Sequence, residues 1–439
     1  MPSPSPAPST ERAPRLRDDS AFWGMAVAQF LGAFNDNVCK QLALFICLEE
    51  TKKDQQALAT AIFAIPFLFL SGAAGFLADR FSKSRIVRAC KAAEVGIQAT
   101  GLCLAALMIT IGGLMTPVML LVLFLMGMHS AVFGPPKYGI LPEMLAKESL
   151  PKANGVFLST TFFAIIFGWV VAGGLWSLPG PIPFRVMIGC TAGVAFAIIG
   201  WSATRYLRPV PPARPTLSFG ARHLFVDPET WRVIFKDRLL LGVLAANGTF
   251  FGCGAAMQAA VTAFGRTQLE VSGFATGLLL ANLAFGIAAG CTAAGYWCGP
   301  NADVRVAKTG AFVIVACLLA LTATPSTPHG NMVAVVAAGA LLFGVGFGAG
   351  LYAVPLQVVV QTRPPPEHKG RVLGALSCFN WTGVLVMAAF YEVCLRVRQS
   401  ASWPPSAVFA AFAGLMLIVA VMLPARVAGS SDSLKQTQN

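Results

Sequence analysis

Charge is scarce in this chain: of 439 residues only 12% are Asp, Glu, Lys or Arg, while 56% are hydrophobic. Soluble domains carry about a quarter charged residues, so a string of water-soluble domains is excluded and hydrocarbon becomes the main solvent. Metal-ligand spacing is missing as well. The eleven cysteines form no CxxC pair and the four histidines, at 129, 223, 329 and 368, are scattered, which argues against a zinc site or a disulfide framework. Cys39, Cys90, Cys103, Cys253 and Cys317 sit in or beside apolar runs and read as small packing residues. There is no GxxxxGK[ST] phosphate loop and no nucleophile, base and orienting acid on a polar segment, so ATP hydrolysis and enzymatic catalysis are not expected and no cofactor is called for. The net charge is +13, yet no basic groove interleaved with aromatics is present, so nucleic acid is not the expected partner.

What the chain has in quantity is long apolar runs. They fall near 21–48, 57–78, 86–111, 114–137, 150–177, 183–206, 238–264, 271–298, 305–324, 329–360, 370–396 and 403–425. A span needs about 20 such residues, and lipid leaves no partner for an open sheet edge, so the runs predict an all-α membrane protein with twelve transmembrane helices. Placing the amino terminus inside puts 25 of the 32 Lys and Arg on that side and 6 on the other, with Lys40 inside the first run. This asymmetry predicts that both termini are cytoplasmic.

Residues 1–20 are rich in Pro and Ser and lack an apolar run; they are expected to be a disordered tail and not a signal peptide, as is 426–439. The longest polar connection, 207–237, separates an amino-terminal half, 21–206, from a carboxy-terminal half, 238–425, each with six runs. Its end, Asp227-Pro228-Glu229, has the chemistry of a helix start, and Trp231, Ile234 and Phe235 share one face, which predicts a short interfacial helix. Segments 133–156 and 352–375 echo each other weakly, each passing from a proline-ended run through a polar link to a glycine-led run. Two related six-span halves are a transporter pattern.

Two stretches carry chemistry. Between runs 2 and 3 stands Gly75-Phe76-Leu77-Ala78-Asp79-Arg80-Phe81-Ser82-Lys83-Ser84-Arg85. Gly75 lets two helices approach closely, and Asp79 is placed to bind a neighbouring helix end or a basic residue. Making and breaking such contacts, with Arg80, Lys83 and Arg85 alongside, would bias two conformational states. In run 1, Asp36 and Lys40 are one helical turn apart and able to pair, with Gln29, Asn35, Asn37 and Gln41 around them. Ionised groups at that depth are expected to face a wet cavity. His129, Gln98, Asn282, Gln357, Gln361 and Asn380 are candidates to line a path, although such residues more often make interhelical hydrogen bonds, and Glu94 reads as locally paired with Arg88 or Lys91, with proton coupling as its alternative. The glycines of run 10, from Gly339 to Gly350, are expected to permit close helix contact.

The 75–85 loop resembles the signature loop of the major facilitator superfamily, with Ser82 in place of a glycine. The runs QFLGAFNDNVCKQLAL, GPPKYGILPEML and KANG (152–155) resemble the lysophospholipid transporter family of that superfamily. The resemblance implies the twelve-helix facilitator fold in two pseudo-symmetric six-helix halves. It also implies flipping of lysophosphatidylethanolamine and lysophosphatidylglycerol across the bacterial inner membrane for reacylation, with an acyltransferase as a separate partner and a monomeric carrier. By the same resemblance Asp36 and Lys137 are site residues, while a basic residue of the family's span 7 has no counterpart, Asn247 and Gln258 being the polar residues there. Asp36 suits the headgroup amine and Lys40 or Lys137 the phosphate, although Lys137 is equally placed to snorkel to the surface. The rival expectations are a proton-linked exporter of amphipathic compounds using Asp36 or Glu94, and a noncatalytic membrane scaffold.

Overall fold

The structure, a computed structural model, describes residues 15–52, 56–299, 303–325 and 331–423. Twelve long helices account for most of them: α1 Ser20–Thr51, α2 Gln56–Arg80, α3 Lys83–Ile111, α4 Met115–Gly139, α5 Leu150–Trp176, α6 Ile182–Ala203, α7 Arg238–Ala263, α8 Gly273–Trp297, α9 Val304–Thr322, α10 Met332–Thr362, α11 Lys369–Ser400 and α12 Ala407–Met422. Ten of these are long and apolar enough to cross a membrane; the other two depart in opposite senses. The 32-residue α1 is long enough but carries the polar stretch around Asp36, and the strongly apolar α12 has only 16 residues. The run near 403 turns helical at Ala407, because Trp403 and Pro404 each precede a proline, which disfavours the helical conformation at both. The tails expected at 1–20 and 426–439 lie outside the described residues except for 15–20. There Leu16–Asp18 form a helical turn, and Asp19 caps α1 by accepting from the N–H groups of Ala21 and Phe22 at 3.0 and 3.2 Å.

The packing pattern repeats. α1 packs on α5, α2 on α4 and α3 on α6; at the matching places in the second half α7 packs on α11, α8 on α10 and α9 on α12. The halves meet along two seams, α2 with α11 and α5 with α8, which the same correspondence exchanges. Both seams are tight at the end of the bundle where α1 begins, hereafter the terminal face. A Cβ at Gly75 on α2 would lie 2.7 Å from the Arg371 Cα, and one at Gly155 on α5 would lie 2.7 Å from the Cys291 carbonyl oxygen, so only glycine admits these approaches. On α10, Gly346 and Gly350 likewise press on the Leu283 and Ile287 carbonyls of α8. The expected linker helix spans Pro228–Lys236 under an Asp227 cap, whose carboxylate accepts from the Thr230 N–H at 3.0 Å and hydroxyl at 2.8 Å. Its apolar face divides, Ile234 being buried and Phe235 exposed, while Trp231 stacks on Phe235.

Candidate functional site

Between the halves lies a cavity of about 510 Å³. Its walls differ. The amino-terminal half contributes charged and polar groups, among them Asp36, Lys40, Ser130, Lys137 and Thr161. The carboxy-terminal half contributes mainly apolar side chains, such as Phe250, Met257, Leu283, Ile314, Val345 and Phe412, with Gln258, Ser377 and Asn380 as its polar exceptions. Both signs of charge therefore stand on one wall opposite a greasy one.

The structure brings Asp36, Asn37, Lys40, Lys137 and Gln258 onto this cavity. The expected Asp36–Lys40 ion pair is not formed within 4.0 Å among the described residues; the Ser130 hydroxyl on α4 donates to Asp36 Oδ2 at 2.6 Å instead, and Oδ1 is buried without a partner. Asn37 donates to the Ala33 carbonyl of its own helix at 2.8 Å. The Lys137 ammonium lies over the Tyr138 ring, 4.6 Å from its centroid, near the terminal end of α4.

Two expected residues are elsewhere. Asn35 points to the other side of α1, where its amide donates to Glu94 Oε1 at 2.8 Å and to the Gly193 carbonyl at 3.2 Å. At about 100° per residue, Gly32, Ala33, Asp36, Asn37 and Lys40 fill one arc of α1, and Asn35 falls outside it, on the side of Asp36 away from Asn37. Asn247 shares a face of α7 with Gln258 but is eleven residues nearer the terminal face, about 16 Å, where the helices have closed. Its amide donates to the Val243 carbonyl at 3.0 Å, and the adjacent Ala246 carbonyl accepts from the Tyr352 hydroxyl at 3.0 Å.

The 75–85 stretch closes the terminal face below the cavity. Asp79 is fully buried and accepts from the Gly370 N–H at 2.6 Å, the Arg371 N–H at 3.1 Å and the Arg371 Nε at 3.2 Å. It thus binds both a helix amino terminus and a cation. Arg371 in turn donates to Glu229 Oε2 at 2.9 Å and lies 3.5 Å from Asp227, so the linker helix is clamped into the closure. Hydrogen bonding from Arg371 holds the Glu229 carboxyl below its ordinary value. Burial pushes Asp227 up, but the Thr230 hydrogen bonds and the Arg371 charge outweigh it and leave it lowered. Lys83 is buried and pairs with Glu143 at 2.5 Å, Arg80 lies over the Phe76 and Phe81 rings, and Arg85 is exposed. Beside the other seam, Asn154 on α5 and Gln361 on α10 exchange amide hydrogen bonds of 2.7 and 2.9 Å across the halves.

A model of the Major Facilitator Superfamily matches residues 21–388. The chain belongs to the Major Facilitator Superfamily. Like its superfamily relatives it is a multi-pass membrane transporter, not an enzyme. The chain is 28% identical to the lysophospholipid transporter LplT of Serratia proteamaculans over 84% of this chain and 87% of that one. It is 25% identical to LplT of Salmonella newport over 87% and 91%. Among solved structures, the human organic anion transporter MFSD10 matches with a TM-score of 0.70 at 16% identity, over 94% of this chain and all of that one. A bacterial homologue of the iron transporter ferroportin matches with 0.69 at 13%, over 92% and 100%. At such identities these structures show the fold alone.

In this facilitator the residues hardest to foresee are those from different helices. Ser130 carries no sequence signal beyond polarity. Of the two roles open to the scattered polar residues, His129 and Asn380 take the first and line the cavity, whereas Gln361 takes the second and bonds across helices. Glu94 pairs with Lys91 at 2.6 Å, both side chains fully buried, beside Asn35 and with His129 Nε2 3.9 Å away.

Proposed function

We propose that this facilitator moves lysophospholipids, lysophosphatidylethanolamine and lysophosphatidylglycerol, across a bacterial inner membrane by alternating access of its two halves, supplying them for reacylation by a separate acyltransferase. The observation that carries this reading is the division of the cavity, with Asp36, Lys40 and Lys137 on one wall and an almost wholly apolar wall opposite. A zwitterionic headgroup finds an anion and a cation on the first wall, and a single acyl chain finds hydrocarbon on the second. The curated relatives named for lysophospholipid transport support the same cargo. The 25 to 6 distribution of Lys and Arg supports a cytoplasmic terminal face with both termini inside. The carrier is proposed to act as a monomer. Purified protein in proteoliposomes should flip labelled lysophosphatidylethanolamine faster than empty vesicles do, and equal rates would refute the assignment.

A second reading, a proton-linked exporter of amphipathic compounds, is favoured by one feature. The buried Lys91–Glu94 pair adjoins His129, whose Nε2 lies 3.9 Å from Glu94 Oε2 and whose ring borders the cavity. An imposed pH gradient separates the two: acceleration of transport supports coupling, and indifference removes it.

A further inference from the structure

The linker between the halves is sorted by charge and by side. Its three acids, Asp227, Glu229 and Asp237, all bind protein: the first two hold Arg371 of α11, and Asp237 pairs with Arg363 at 2.5 Å. At about 100° per residue, Glu229, Thr230 and Ile234 fill the arc of the linker helix that meets the bundle, Thr230 and Ile234 being fully buried. The arc facing away carries Phe235, 60% exposed, with Arg232 and Lys236 beside it, and among the described residues neither cation makes an ion pair. Upstream, Phe219 and Phe225 are also more than half exposed, and they pack edge-on against Phe76 and Phe69 of α2 with centroids 5.2 and 6.1 Å apart. No Cβ would fit at Gly72 of α2, because the Phe225 carbonyl occupies its place. Gly72 stands seven residues, about 10 Å, from the Asp79 closure and inside the second apolar run, so this stretch lies along α2 at the depth where headgroups give way to acyl chains.

The same segment is a strap. Gly72 faces away from Phe63 and Phe67, the α2 residues on the cavity, so the linker crosses the α2–α11 seam on its outer side. It touches α2 through Phe225 and through the Arg214 N–H, which donates to the Asp79 carbonyl at 2.8 Å. It touches α11 through the Arg371 ion pairs and through Trp231, whose ring centroid lies 5.9 Å from that of Phe379. Opening the terminal face must part Asp79 from Gly370, and a strap fixed in the plane of the bilayer resists that parting. We propose that the outward arc of residues 219–236 docks on an anionic lipid leaflet, its aromatics entering the acyl boundary and Arg232 and Lys236 binding lipid phosphates, and that this docking stabilises the closed terminal face. Exposed cations beside exposed aromatics match a negatively charged lipid surface, and each cation near such a surface adds its own increment of binding. The inference rests on the proposed cytoplasmic placement of the terminal face and is independent of the cargo.

The test reads closure with Ser159→Cys and Thr292→Cys, whose native hydroxyls lie 3.1 Å apart across the α5–α8 seam, as the rate of disulfide formation under a membrane-permeant oxidant. In vesicles of phosphatidylcholine with about one third phosphatidylglycerol, the rate should be severalfold that in phosphatidylcholine alone. Phosphatidylserine should act like phosphatidylglycerol, and added salt should erase the difference. Adding Arg232→Gln with Lys236→Gln should leave the rate in phosphatidylcholine at the parental value and remove most of the gain from either anionic lipid. A nitroxide on Phe235→Cys is the second measurement: in the anionic vesicles it should be relaxed more by oxygen, which concentrates in the membrane, than by a water-soluble nickel complex. Equal parental rates with and without anionic lipid, the same acceleration in the double glutamine variant, or a nitroxide relaxed mainly by nickel would overturn the docking. Acceleration by phosphatidylglycerol alone would overturn it too, since that selects a headgroup and not a charge. No cargo is present, so a failure of lysolipid transport leaves the docking standing. Labelling of a linker cysteine by an impermeant maleimide in intact cells would overturn the cytoplasmic placement and, with it, docking to that leaflet.

Discussion

At the scale of single residues, the same electrostatic rule explains two different fates of charge inside the membrane. Lys91 and Glu94 are wholly buried and satisfy one another at 2.6 Å, helped by Asn35, while Gly32 makes room: a Cβ there would lie 2.6 Å from the Lys91 nitrogen. Removing one partner strands the other. Glu94→Gln should therefore lower stability by about 3–5 kcal/mol, whereas Lys91→Met with Glu94→Leu should cost much less, as thermal unfolding in detergent will show. Asp36 is different, because half its carboxylate faces the cavity without a partner. Asp36→Asn keeps the side-chain volume and an acceptor for Ser130 but loses the charge, so transport of lysophosphatidylethanolamine should drop about tenfold or more with little change in melting temperature. Undiminished transport by that variant would remove the role proposed for the acid.

At the scale of elements, the helices were largely legible and their facing was not. Hydrocarbon demands closed backbone hydrogen bonding, so apolar runs declare helices, and the Asp227 cap and the tight glycine of 75–85 act where their local chemistry says they should. Polar residues of α1 at 29, 35, 36, 37, 40 and 41 spread around the helix, however, and nothing in the run says which arc meets the cavity; that is decided by α4, α5 and α6, the helices packed on it. The linker helix shows the same limit: its boundaries were readable, but its grip on Arg371 joins residues 142 positions apart. This grip yields a pH prediction. Asp227 and Glu229 are held below their ordinary values of 3.8 and 4.5, so their contribution to closure is full above those values and is lost as pH falls through the lower folded ones. Labelling of a cysteine placed at Ser377, from the terminal side and relative to a fully exposed reference cysteine at the same pH to cancel the loss of thiolate, should accelerate as pH falls through the acid range in which these two carboxylates protonate. Glu229→Gln should raise the neutral rate and flatten that profile, and a profile identical to wild type would sever the linker from the gate.

For the whole molecule, the exchange symmetry of the two seams makes one seam sufficient to test the motion. At the terminal face the halves are joined on one side by Asp79 with Gly370 and Arg371, and on the other by Ser159, whose hydroxyl bonds the Ala288 carbonyl at 2.8 Å and lies 3.1 Å from Thr292 Oγ1. Opening toward that face by rigid rocking must part both sets together, since packed interfaces switch between discrete arrangements and do not stretch. Ser159→Cys with Thr292→Cys places two thiols at a separation from which a disulfide can close with a small backbone shift. Oxidised, this variant should lose nearly all lysolipid transport and still bind cargo from the opposite side; reduction should restore the rate. Full transport through the intact cross-link would mean that cargo crosses without the two halves parting at α5 and α8, and the rocking of one six-helix lobe against the other would have to be abandoned.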